Sequence, residues 1–83
     1  DRIPRVVYKQ VVIVADRDAD EERLQAAVTG HGPEIVRMEY DLDAVAGTMT
    51  YHATIASQNR ISEREIVDTL AGQRGVRRVT VHA

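Results

Sequence analysis

Three carboxylates at alternate positions, Asp16, Asp18 and Asp20, are the densest group of chemically capable side chains in this sequence. Alternating acids of this kind open Ca²⁺ loops, in which they converge on one cation. Such a loop also needs a glycine at its sixth position and a bidentate acid at its twelfth. Here those positions hold Glu21 and Ala27. A plainer role is available: Asp16 or Asp18 caps a following helix, while Asp20, Glu21 and Glu22 complement its positive end. Asp16, Asp18 and Asp20 stay as candidate ligands for a small molecule or a divalent cation. Of the three histidines, His31 sits in a glycine-rich turn, His82 is one residue from the end of the sequence, and His52 falls in an alternating segment near Glu39 and Asp41. A Glu39/His52 cross-strand pair accounts for His52 without a metal. Arg74, Arg77 and Arg78 make a local basic patch suited to an anion, a lipid headgroup or an acidic partner, and equally to a solvated strand edge. With no cysteine, and no defensible Ser/His/Asp or paired-carboxylate arrangement, neither an enzyme nor a cofactor is expected.

These side chains need elements to position them, and hydrophobic periodicity supplies six. Arg5 to Ala15 is rich in β-branched residues and apolar on both alternating faces, with Val7, Val11, Ile13 and Ala15 on one side and Val6, Tyr8, Val12 and Val14 on the other. It reads as a central strand covered on both sides. The acidic run then leads into Leu24, Ala27 and Val28 at helical spacing, stopped by Gly30, Gly32 and Pro33. From Ile35 the chain alternates, with Val36, Met38, Tyr40 and Leu42 facing one way and Arg37, Glu39, Asp41 and Asp43 the other. After a short loop ending at Gly47, Met49, Tyr51, Ala53 and Ile55 alternate with Thr50, His52 and Thr54, which predicts an antiparallel hairpin. Ser62 and Glu65 have capping-box spacing, and Ile61 with Ile66 have hydrophobic-staple spacing, so a second helix starts at Ser62 with Ile66, Val67, Leu70 and Ala71 inward. Gly72 or Gly75 ends it before Val76 to Ala83, where Val79 and Val81 point inward.

The order β-α-β-β-α-β predicts an α+β ferredoxin-like sandwich, one antiparallel four-stranded sheet with two helices on one face. The second face of the first strand then needs another cover: a protein partner, a second copy, the rest of a larger protein, or large neighbouring side chains. Candidate surface positions are Val12, Val14, Arg37, His52, Thr54, Arg77 and Arg78. Acylphosphatases share this element order, but their phosphate cradle follows the first strand, where this chain is acidic and repels phosphate.

Composition narrows the class. The 83 residues, 43% hydrophobic and 29% charged, suit one folded domain over positions 1–83. Net charge of -2, three tyrosines and no Phe or Trp disfavour nucleic acid as a partner. The longest apolar run, Val11 to Ala15, is far too short to span a bilayer. Absence of cysteine suits a reducing compartment, with cytosol the default.

From Val6 to Val81 the chain resembles ACT and ACT-like domains, regulatory modules that bind amino acids at the turn after the first strand and pair with one another. That family's turn carries an acid and then a glycine; Asp16 to Glu21 has the acid without the glycine. A narrower resemblance lies in Gly47 to Ile55, in Glu65-Ile66-Val67 with Leu70, and in Gly75-Val76 with Val79. These resemble the C-terminal cytosolic domain of the MgtC/SapB family, which carries a multi-span membrane region ahead of an ACT-like tail and is associated with growth in low Mg²⁺ and survival in macrophages. The resemblance implies a non-catalytic regulatory or interaction domain excised from a longer protein and lying on the cytoplasmic side of the bacterial inner membrane. Its partner would be another protein or the membrane region of the same protein, with a homodimer as an option and membrane association through a segment not in this chain. Arg2 and Arg5 fit the basic flank that follows a spanning helix. The alternatives are an ACT module sensing an amino acid, or a divalent-cation sensor, at Asp16 to Asp20.

Overall fold

The apolar strand predicted near the start becomes β1, Val7–Asp16, in a computed structural model that describes residues 5–83. The remaining elements are α1 (Glu21–Thr29), β2 (Glu34–Asp43), β3 (Thr48–Ser57), α2 (Glu63–Ala71) and β4 (Val76–His82). They form one antiparallel sheet in the order β2-β3-β1-β4, the ferredoxin-like βαββαβ arrangement. Each β-α-β unit accordingly has a strand of the other unit inserted between its own two. Arg5 and Val6 precede the first strand, and Arg2 lies outside the described residues.

Alternation along β1 decides which side is the core. Val11, Ile13 and Ala15 are essentially inaccessible and pack with Tyr51, Ala53 and Ile55 of β3 against Leu24 and Val28 of α1 and Ile66 and Leu70 of α2. Both helices thus cover one face, and burying each large aliphatic there contributes about 1.5–3 kcal/mol. The other face of β1 carries Tyr8, Val12 and Val14 with no helix over it. Ala71, predicted inward, is exposed, because only Ile66 and Leu70 lie on the line of contact and Val67 is half-buried beside it.

Two bulges alter the alternation read from sequence. In β2 the register passes from Ile35↔Ile55 to Arg37↔Thr54, leaving Val36 unpaired and 52% exposed. Ile35, not Val36, therefore joins Met38 on the helix side. In β4 the register passes from Val14↔Arg78 to Ala15↔Val76, leaving Arg77 as the extra residue. A bulge adds one residue to one strand only, so it resets the alternation beyond it.

Helix ends also depart from expectation. The α1 cap is Asp20, not Asp16 or Asp18: its Oδ1 accepts the backbone N–H groups of Glu22 at 3.1 Å and Arg23 at 3.4 Å. Ser62 occupies the cap position of α2 but makes no side-chain cap bond, so the box spacing with Glu65 is not used. The staple is: Ile61 and Ile66 both enter the core.

Candidate functional site

Two surfaces bring the sequence candidates together, and the first is the end of the molecule where β1 turns into α1. Three loops are joined there by backbone hydrogen bonds. The Asp16 N–H donates to the Gly75 carbonyl at 2.9 Å and the Arg17 N–H to the Gly47 carbonyl at 3.0 Å. Gly75 has φ +87, and a Cβ there would lie 3.3 Å from Ala19 Cβ. That close approach under positive φ favours glycine. The three aspartates part company in this frame. Asp16 accepts from Arg77 Nε at 2.6 Å, Asp20 is bound to the helix start, and Asp18 alone is exposed with no hydrogen bond or ion pair among the described residues. Among the described residues no group of three or more His, Asp or Glu side chains converges as a metal would require.

Beside this turn lies a cleft of about 530 Å³, bounded by Asp16, Asp18 and Asp20 on one side and Arg23, Gln73 and Arg74 on others. Its walls carry both signs of charge, which matches a small zwitterion better than a free anion. The basic patch read from Arg74, Arg77 and Arg78 is divided by the fold. Arg74 lines the cleft, Arg77 is held by Asp16, and Arg78 stands in the sheet.

The second surface is the uncovered face of the sheet, where strand register arranges side chains in rows. One row runs Asp41, Thr50, Val14, Arg78; the next runs Glu39, His52, Val12, Thr80; a third runs Arg37, Thr54, Gln10, His82. Glu39 does lie opposite His52, as its spacing implied, but its carboxylate is bound by Arg37 Nη2 at 2.6 Å. Thr54 Oγ1 donates to Gln10 Oε1 at 3.1 Å across β3 and β1. Gln10, Arg37, Glu39, His52 and Thr54 border a shallow concavity of about 220 Å³ on this face. Six of the seven surface positions singled out from sequence, Val12, Val14, Arg37, His52, Thr54 and Arg78, share this face, while Arg77 is drawn away to Asp16. Gln10 joins them on this face, as does Asp41, which the sequence offered only as a neighbour of His52. Asp41 shares the alternation of Arg37 and Glu39, but only strand order reveals it at the opposite edge from Arg78.

On the helix side, a third cluster is structural. The Tyr40 hydroxyl and Gln25 Nε2 both donate to Glu21 Oε2, and Tyr40 meets Tyr51 edge to face at 5.7 Å. The bond to the Glu21 carboxylate holds the Tyr40 phenol above its ordinary pKa, and burial first, then Glu21, raises that of Tyr51. This ties the long hairpin to α1.

No protein-family model matches the chain, and no curated protein matches it. No helix among the described residues is long and apolar enough to cross a membrane.

Proposed function

We propose that this chain is a non-catalytic interaction domain that docks through the open face of its sheet, as the cytosolic C-terminal part of an MgtC-like inner-membrane protein of low-Mg²⁺ adaptation and intramacrophage survival. The observation that carries the docking reading is the apolar spine of the central strand: Val12 and Val14 are only half-buried and Tyr8 is 59% exposed, with both helices on the opposite side. Apolar side chains flanked by ionic ones suit a partner with an apolar centre and a charged rim. The MgtC-like parent is supported by the resemblance of Gly47 to Ile55, Glu65 to Leu70 and Gly75 to Val79. Recovering partners with the parent protein, its native membrane region included, tests the reading. Reversing Arg37 and Arg78 to Glu should lose those partners while the amide spectrum of the domain stays folded; equal recovery would count against it.

A second reading is favoured by the mixed-charge cleft. An amino acid would set its ammonium against Asp18 and its carboxylate against Arg23 or Arg74. Amide shifts confined to residues 16–22 with saturating amino acid would favour this sensor, and shifts with Mg²⁺ but not with matched ionic strength would favour a cation. Silence in both titrations leaves the docking reading.

A further inference from the structure

We infer that the occupant of the open sheet face is a single amphipathic helix of a partner protein, lying along the strands with a cationic flank over β2 and an anionic flank over β4. The inference rests on reading that face as a docking surface and names what docks. Its first basis is where the apolar side chains stand. Tyr8, Val12 and Val14 all belong to β1, while the neighbouring β3 positions on the same face are Thr50, His52 and Thr54. A second packed sheet needs inward apolar residues from its several strands. A ridge one strand wide matches instead the apolar stripe of one helix. The lengths agree as well: Tyr8 to Val14 spans about 20 Å of strand, and a helix of about 14 residues spans about 21 Å.

The second basis is charge. Asp41 on edge strand β2 and Arg78 on edge strand β4 end the same cross-sheet row, with Thr50 and Val14 between them. Both are exposed, and neither has an ion-pair partner among the described residues. Three strand spacings of about 4.8 Å put the two edges roughly 14 Å apart, beyond direct pairing. A helix with its side chains is about 10–12 Å across, so one centred on the sheet holds its two flanks above the two edges. Of the other acids on the β2 edge, Glu39 is bound by Arg37 and Asp43 accepts the turn amides of Val45 and Ala46. Asp41 therefore calls for Lys or Arg on one flank of the helix, and Arg78 for Asp or Glu on the other. Charge at both edges also discourages addition of a further strand, which leaves the broad face as the place of contact.

The face is small, four strands wide and about seven residues long, or on the order of 450 Å². That footprint suits one helix in a transient complex, at the low end of interface sizes. Binding is accordingly weak, and it weakens further with salt because its selective contacts are exposed ion pairs.

Titrating the isotope-labelled 83-residue chain with two designed helical peptides tests this by amide shifts. Both peptides have about 14 residues, the same composition and the same leucine stripe. One carries Lys along one flank and Glu along the other; the second alternates Lys and Glu along each flank. At about 50 mM ionic strength the first peptide should shift the amides of Val12, Val14 and His52. It should bind about fivefold more tightly than the second. Asp41→Arg and Arg78→Asp should each remove that preference, since each gives the two edges the same sign. The chain with both substitutions should recover it, because the helix then lies in the opposite direction along the strands, and that recovery shows that the substituted chain is folded. No shifts with either peptide at about 1 mM, equal affinity for the two, a preference that survives a single substitution or fails to return in the double one, or shifts centred on α1 or α2 would each overturn the inference. If the peptides do not bind but partner recovery with the parent protein still depends on Arg37 and Arg78, the helix fails and docking stands; if neither holds, both fail.

Discussion

Val12 and Ile13 are adjacent in β1, alike in size and polarity, and have opposite fates. Ile13 is 2% exposed beneath two helices, whereas Val12 is half-buried on the face opposite them. The same contrast runs through the strand, with Val11 and Ala15 sealed, Val14 half-buried and Tyr8 exposed. Periodicity identifies the two faces of a strand; which one becomes core depends on where the helices land. The difference separates side chains that hold the domain together from those free to serve something outside it.

Truncating the two neighbours probes that contrast most strongly. Ile13→Ala should cost about 2–5 kcal/mol in urea unfolding, the sum of lost transfer energy and the cavity left behind. That is a large share of the roughly 5–10 kcal/mol available to a domain of this size. Val12→Ala should cost under about 1 kcal/mol, since water already reaches the site. Similar losses for both would mean that the open face is covered in the isolated chain, and the comparison would break. Next in size is Gly75→Ala at the stitched end of the molecule. Positive φ there, together with the approach of Ala19, should cost about 1–3 kcal/mol in thermal or urea unfolding. Unchanged stability would show that this end yields easily.

Asp20→Ala should cost about 1 kcal/mol through loss of the α1 cap, whereas Asp18→Ala should leave stability within about 0.5 kcal/mol. The two equilibrium unfolding curves would separate the structural acid from the one that faces the cleft. The smallest effect concerns pH. Folding raises the Tyr40 and Tyr51 pKa values, so the folded state holds these protons more tightly. Their contribution is therefore complete below the unfolded value of about 10 and declines as pH rises through the folded values. Tyr40→Phe should flatten this alkaline decline; an unchanged slope would assign it elsewhere.

Element order and most element limits were legible because each segment carries its own local signal. The staple at Ile61 and Ile66, the stop at Gly30 to Pro33 and the turn at Gly47 need only near neighbours to be understood. The site was less legible. Asp16, Asp18 and Asp20 read as one acidic group, yet Asp16 is taken by Arg77, 61 residues further along the sequence, and Asp20 by its own helix. Val36 and Arg77 read as regular strand positions, yet each is the extra residue of a bulge, a feature of pairing with a neighbouring strand and not of one strand alone.

By itself, then, the sequence determined six elements, their order and the two-sided apolar character of β1, all consequences of side-chain periodicity along a local backbone. Tertiary structure decided which face of β1 was sealed and which of Asp16, Asp18 and Asp20 has no hydrogen bond or ion pair among the described residues. It also placed Asp41 and Arg78 in one row at opposite edges of the sheet. Those outcomes depend on strand order and register, which bring together residues that sequence separation keeps apart.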